Sequence, residues 1–185
     1  FTAVTGAAPG TYSDNAGSYC GTQFIPTGGD GSTAWVRSFS GAIDVRWFGV
    51  VGDSDGTSGN GTDDTAAVRA ACAYMQSLGS GAIDFDNLQM RVFISEVDLD
   101  PLGDFQGTDG LTIRSSGAQF VVDRDFDAAA APYDYAYIFK FRSCDNTHVE
   151  SFFGSCPGTR GAIYSGAILF NLDAVGAIAG CKNFT

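Results

Sequence analysis

The residues best equipped for chemistry gather in "GDSDGTSGNGTDD", residues 52–64, where Asp53, Asp55, Asn60, Asp63 and Asp64 are spaced by glycines. Oxygen donors at this density suggest calcium, but the spacing lacks the D-x-[DN]-x-[DN]-G order that wraps ligands around the ion, so no metal is expected. The alternative is structural. Glycines turn the chain, Asp63 and Asp64 offer acceptors to the free amides of a helix start, and Thr65 begins the helix. General acid–base chemistry needs paired carboxylates, and two sets lie two residues apart: Asp98 with Asp100, and Asp123, Asp125 and Asp127. Both read better as solvated turns between strands. His148, the single histidine, shares a strand side with Glu150, and packing is its commoner role. Tyr133, Tyr135 and Tyr137 alternate in "PYDYAYIF" and fit sugar stacking, a strand face or a contact between chains. Five cysteines (Cys20, Cys72, Cys144, Cys156 and Cys181) include no C-x-x-C pair, so zinc is poorly supported and most read as buried small hydrophobes. No catalytic set and no cofactor follow from these residues.

The elements that must position these groups are legible from periodicity. Val68, Ala71, Cys72, Met75 and Leu78 mark one apolar face of a helix that ends at Gly79, whose positive φ suits a C-cap. After Gly81 the chain turns to short apolar runs bounded by Gly, Asp, Asn or Ser: "GAIDF", "MRVFISEVDL", "GLTIRS", "AQFVVD", "YIFKF", "THVESFF", "GAILFNL" and "GAIAGCKNF". These are strands. Their recurrence suggests a solenoid turning every ~20 to 30 residues, with a sandwich or barrel as the competitor. A solenoid needs its open end covered, and an amphipathic helix directly before the first strand supplies that cover. Upstream, "WVRSFSGAIDVRWFGV" (35–50) alternates as strands do, with Ile43, Val45 and Trp47 on one side and Asp44, Arg46 and Phe48 on the other. Residues 1–34 have no sustained period and read as an extended arm ordered by a neighbour.

Bulk properties narrow the partners. The 185 residues suit one domain with an extension. Hydrophobic residues at 44% against 17% charged predict a packed fold, and 25 glycines predict many tight turns. A net charge of −11 repels phosphate backbones and anionic membrane surfaces, so nucleic acid is not an expected partner. The apolar runs are shorter than the ~20 residues of a spanning helix, so membrane insertion is not expected either.

At this point the residues carry a resemblance. "RWFGVVGDSDG", then "DDTAAVRAAC", then "GSGAIDF" resembles the opening of the pectate-lyase-like right-handed parallel β-helix superfamily over residues 46–86, where the corresponding Gly49, Gly52, Asp53, Asp63, Asp64 and Thr65 start the fold and do not catalyse. "PTGGDGSTAWVRSFSGAIDVRWFG" is similar to the neck before the β-helix in bacteriophage tail spikes, and "YIFKFRSCDNTHVESFFG" resembles a coil with an Asn-containing turn. Two departures stand out: "TSGNG" lengthens the loop before Asp63, and "DNLQMRVF" replaces the usual Pro-x-Gly-x-Tyr turn.

The resemblance implies a mainly β fold in three parts. Residues 1–48 form an extended arm and neck, 49–80 the Gly/Asp loop and capping helix, and 81–185 the first coils of a parallel β-helix expected to continue beyond Thr185. It implies a virion tail spike or fibre component that attaches to the host, extracellular when acting. The expected partners are its own copies in a homotrimer, phage tail or baseplate proteins, and host surface polysaccharide. Trp35, Trp47 and Phe48 are the expected trimer contacts. A polysaccharide lyase or glycosidase centre, if present, is expected downstream of these residues. The rival functions are a secreted bacterial polysaccharide lyase or hydrolase of the same fold, and a non-enzymatic binding or structural appendage.

Overall fold

A computed structural model describes residues 2–5, 22–24, 33–57, 59–93, 102–123, 136–150, 153–155 and 165–171. Near the N-terminus, β1 (Thr2–Thr5), β2 (Gln23–Phe24) and β3 (Thr33–Val36) form a small antiparallel sheet with β3 in the middle. The expected extended arm is therefore partly paired within its own chain. The reason is register: Ala3 and Phe24 both lie opposite Trp35, so strands too short to be conspicuous in sequence complete one another's backbone bonds.

The body begins at β4 (Ile43–Asp44), earlier than the expected boundary at residue 49, because Ile43, Val45 and Phe48 belong to the main core. The strand expected to run through residues 45–48 is instead a 3-10 turn. Asp44 starts it by accepting a hydrogen bond from the Arg46 amide, and Gly49 ends it at φ 97. Three residues per turn brings Val45 and Phe48 onto one side, so both are buried, whereas strand alternation separated them.

Helix α1 (Thr65–Leu78) follows, closed by Gly79 at φ 74 in the left-handed region. Val68, Ala71, Cys72 and Met75 are buried as the periodicity required, while Leu78 at the last turn is 47% exposed. Each large side chain so covered contributes about 1.5 to 3 kcal/mol.

The remaining described strands are β5 (Gly81–Asp84), β6 (Gln89–Phe93), β7 (Gly103–Gln106), β8 (Leu111–Arg114), β9 (Gln119–Asp123), β10 (Ala136–Arg142), β11 (His148–Val149), β12 (Phe153–Ser155) and β13 (Ser165–Asn171). Their pairing is parallel throughout. One sheet has the order β11-β8-β5-β4, a second β12-β9-β6 and a third β13-β10-β7. Among the described residues the chain thus visits the three sheets in the same order three times from β5 onward. From β5 on, two strands in other sheets serve as each parallel crossover, while α1 and its loop serve as the crossover from β4 to β5. Ile83 pairs with Ile113 and Ile113 with Val149; Met90 pairs with Phe120; Phe105 pairs with Phe141 and Phe141 with Phe170.

Inward-facing side chains fill the space between the sheets. Phe85, Phe105, Phe120, Phe139 and Phe141 are each at most 1% exposed. Their rings meet at centroid distances of 5.3 to 6.5 Å. Gly103 makes room for them: a Cβ there would sit 2.7 Å from Phe105, 3.0 Å from Phe139 and 3.1 Å from the Cys72 sulfur. Substituting that glycine would overpack the junction of helix and sheet. No helix among the described residues is long and apolar enough to cross a membrane.

Candidate functional site: a loop and helix that close three sheet edges

A sheet edge exposes unpaired backbone groups that template further pairing, so the first strand of each sheet needs a partner. The segment from Ile43 to Leu78 provides one for each. Beside β5, the partner is β4, with Ile43 against Ile83 and Asp44 against Asp84.

Beside β6, the partner is the Gly/Asp loop. Asp53 bridges Gln89 and Asp63 bridges Arg91, both parallel. The amide of Ser54 donates to the Gln89 carbonyl at 3.0 Å, and that of Asp64 to the Arg91 carbonyl at 2.8 Å. The Thr65 hydroxyl then accepts from the Phe93 amide at 2.7 Å.

Beside β7, the partner is a single side chain. Gln76 of α1 accepts from the Gln106 amide through Oε1 at 2.8 Å and donates to the Gln106 carbonyl through Nε2 at 2.7 Å. Its carboxamide does there what a neighbouring peptide unit does in a sheet. α1 itself touches β5, β6 and β7, so it covers the end of the core that these strands begin.

The acids of the loop have distinct tasks. Asp63 Oδ1 accepts from both the amide (3.0 Å) and the hydroxyl (2.6 Å) of Thr65, and so organises the helix start. Asp64 occupies the N-cap position, yet its side chain does not cap. It turns back instead, accepting from the Val51 amide at 2.8 Å and the Gly52 amide at 3.1 Å. The carboxylate is 1% exposed, and burial raises its pKa above 3.8 against the opposing effect of the two amides.

Asp53 latches the far side of the loop, accepting from the amide (2.6 Å) and hydroxyl (3.0 Å) of Thr62. Asp55 accepts from the Thr57 amide at 2.8 Å and the Asn60 carboxamide at 3.0 Å. These bonds, the Thr62 amide first for Asp53 and the Thr57 amide first for Asp55, hold both exposed carboxyls below 3.8. Gly52, at φ 67, fits because a Cβ there would lie 2.8 Å from Leu88. Thr57, Asn60 and Gly61 of the inserted stretch belong to this latch: Gly61, at φ 95, would put a Cβ 2.8 Å from the Ser54 Cα.

The expected partner contacts divide. Phe48 is 1% exposed, with its ring 5.7 Å from Tyr74 in its own core, and offers no surface to another copy. That expectation is corrected, because the 3-10 turn points Phe48 inward. Trp47 is half-buried, with Phe39 edge-on at 5.2 Å and the Arg37 guanidinium 4.4 Å above its ring. Trp35 is 46% exposed. Tyr137 lies in β10, its side chain outside the described residues, as are Tyr133 and Tyr135 altogether. The acids Asp98, Asp100, Asp125 and Asp127, and Cys20, Cys156 and Cys181, also lie outside them.

His148 is exposed at the start of β11, and the Glu150 carboxylate accepts from the Ser115 amide at 3.1 Å, ordering the turn after β8. Among the described residues no three His, Cys, Asp or Glu side chains gather as a metal ion would require. Cys72 and Cys144 are buried; burial pushes the Cys72 thiol up to about 12.

Sequence reasoning missed Gln76, which looked like an ordinary polar residue off the apolar face. It also missed the Asp44–Arg46–Asp86 group, in which Arg46 grips Asp44 with Nε at 2.9 Å and Nη2 at 2.9 Å and reaches Asp86 at 3.4 Å. The Asp-x-Arg spacing at a turn was the available signal for the first pair; Asp86 joins only through the β4–β5 pairing. Comparison of the chain with protein-family models, with curated proteins and with solved structures gave no match in any of the three.

Proposed function

We propose that this chain is the neck and first coils of a right-handed parallel β-helix in a bacteriophage tail spike or related tail appendage. In this reading the homotrimeric appendage attaches the particle to its host and recognises surface polysaccharide. The observation that carries it is a coincidence of two kinds of information. The ordered stretch that resembles the opening of the pectate-lyase-like superfamily, residues 46–86, overlaps the segment that closes the first edges of three parallel sheets. A one-ended closure of that sort is what a coil-by-coil fold needs where it starts.

The host-facing half rests on the likeness of residues 26–49 to a tail-spike neck, and on a net charge of −11 that disfavours nucleic acid. Recognition, not cleavage, is the activity proposed for these residues. The test is binding of the fluorescently labelled chain to bacteria and to purified capsular and O-antigen polysaccharides. Saturable binding that vanishes from polysaccharide-deficient cells supports the reading. Binding that is indifferent to polysaccharide, or absent from every surface tried, contradicts it.

A further inference from the structure

We propose that Asn60 is a self-modification site whose deamidation unlatches the loop from the β6 edge. Of the six asparagines in the chain (Asn15, Asn60, Asn87, Asn146, Asn171 and Asn183), only Asn60 precedes a glycine, the neighbour that least hinders attack on the side-chain amide. The fold requires that glycine. Gly61 has φ 95, and any Cβ there would meet the Ser54 backbone at 2.8 Å. Asn60 and Gly61 are both exposed, and the Gly61 amide donates no hydrogen bond among the described residues.

The chemistry needs only solvent water. The Gly61 nitrogen, having lost its proton to solvent base, attacks Asn60 Cγ; the bond from Cγ to the side-chain nitrogen breaks, and that nitrogen leaves as ammonia. One water then opens the five-membered imide. Opening at the former side-chain carbonyl gives aspartate, and opening at the backbone carbonyl gives isoaspartate, which adds one carbon to the main chain.

Both products act on the latch. The Asn60 carboxamide donates to Asp55 at 3.0 Å, and its replacement by a carboxylate removes that donor and sets a like charge against Asp55, with Asp53 and Asp63 on the same loop. Isoaspartate also shifts Gly61 from its fit against Ser54. The loop is held to β6 on either side, at Gln89 by Asp53 and Ser54 and at Arg91 by Asp63 and Asp64, so the added length and charge act on both attachments.

The experiment incubates the folded 185-residue chain in mildly alkaline buffer and follows each asparagine by peptide mass mapping. Amide hydrogen exchange is read in parallel at Ser54 and Asp64, the donors to β6. The expected result is conversion at Asn60 several-fold faster than at any other asparagine, with several-fold faster exchange at both donors in the converted protein. Asn60→Asp, made genetically, should reproduce part of that exchange without incubation, and Asn60→Gln should show neither change. Two results would overturn the proposal: Asn60 persisting in the folded chain while the same unfolded peptide converts, or conversion that leaves exchange at Ser54 and Asp64 unaltered.

Discussion

Asp64 holds two backbone amides with a carboxyl group taken almost wholly out of water, and these two facts pull its ionisation in opposite directions. Truncation by Asp64→Ala leaves the Val51 and Gly52 amides without their partner and should cost about 2 to 4 kcal/mol, read from urea unfolding midpoints. Its pKa is raised, so the folded state holds the proton more tightly than the unfolded chain. The stability this contributes is complete below the unfolded value and is lost as pH rises through the folded one. The advantage of the wild-type chain over Asp64→Asn should therefore be greatest below pH 3.8 and shrink as pH rises above it; an advantage that grows with pH there would contradict the assignment. Asp53 and Asp55 have the opposite sign, their contribution being lost only as pH falls below 3.8. Cys72 gives a simpler expectation. Its thiol is buried and pushed up to about 12, so it should resist alkylation until the chain unfolds; modification at the rate of an exposed thiol would show that α1 does not cover it. Sequence could name Asp64 as a residue of the helix start because an acid before "TAAV" is a strong cap signal. That its side chain would turn back to residues 51 and 52 depends on where the loop crosses β6, which no local pattern encodes.

Element by element, the helix was the most legible part and the strand edges the least. Five apolar positions at helical spacing and a terminal glycine define α1, and its burial follows from them. β7 went unread because "GDFQ" offers one large apolar side chain, Phe105, and no bounded apolar run. "THVESFF" read as one strand but is two, β11 and β12, in different sheets, with Glu150 bonding to the turn after β8. The turn at residues 45–48 was misread because an apolar pair at i and i+3 can be drawn onto a strand when the intervening residues alternate. Gln76 shows the limit most clearly, since a carboxamide becomes an edge partner only when β7 arrives beside it. Gln76→Ala should cost about 1 kcal/mol and speed exchange of the Gln106 amide several-fold, leaving distant amides unchanged. Unchanged exchange at Gln106 would mean that β7 finds its partner elsewhere. Gly103→Ala should cost about 1 to 3 kcal/mol by forcing Phe105, Phe139 and Cys72 apart, measured in the same unfolding assay.

For the whole molecule, the strands of each parallel sheet are successive returns of one chain, and β5, β6 and β7 each meet a different partner on the N-terminal side: a strand, a loop and a side chain. Mainly strand character and the single described α-helix could be read from spacing alone, whereas the sharing of strands among three sheets could not, because the intervals between paired residues are unequal. Ile83 to Ile113 is a shorter step than Ile113 to Val149. The proposed appendage adds a requirement at this scale, namely three copies, with Trp35 the most exposed of the aromatic residues expected to meet another chain. The most direct test of that claim is the mass of the 185-residue chain in solution by sedimentation equilibrium over a range of concentrations. The account predicts an assembly of three chains that Trp35→Ala weakens; a species that stays at one chain mass across the whole range would contradict it.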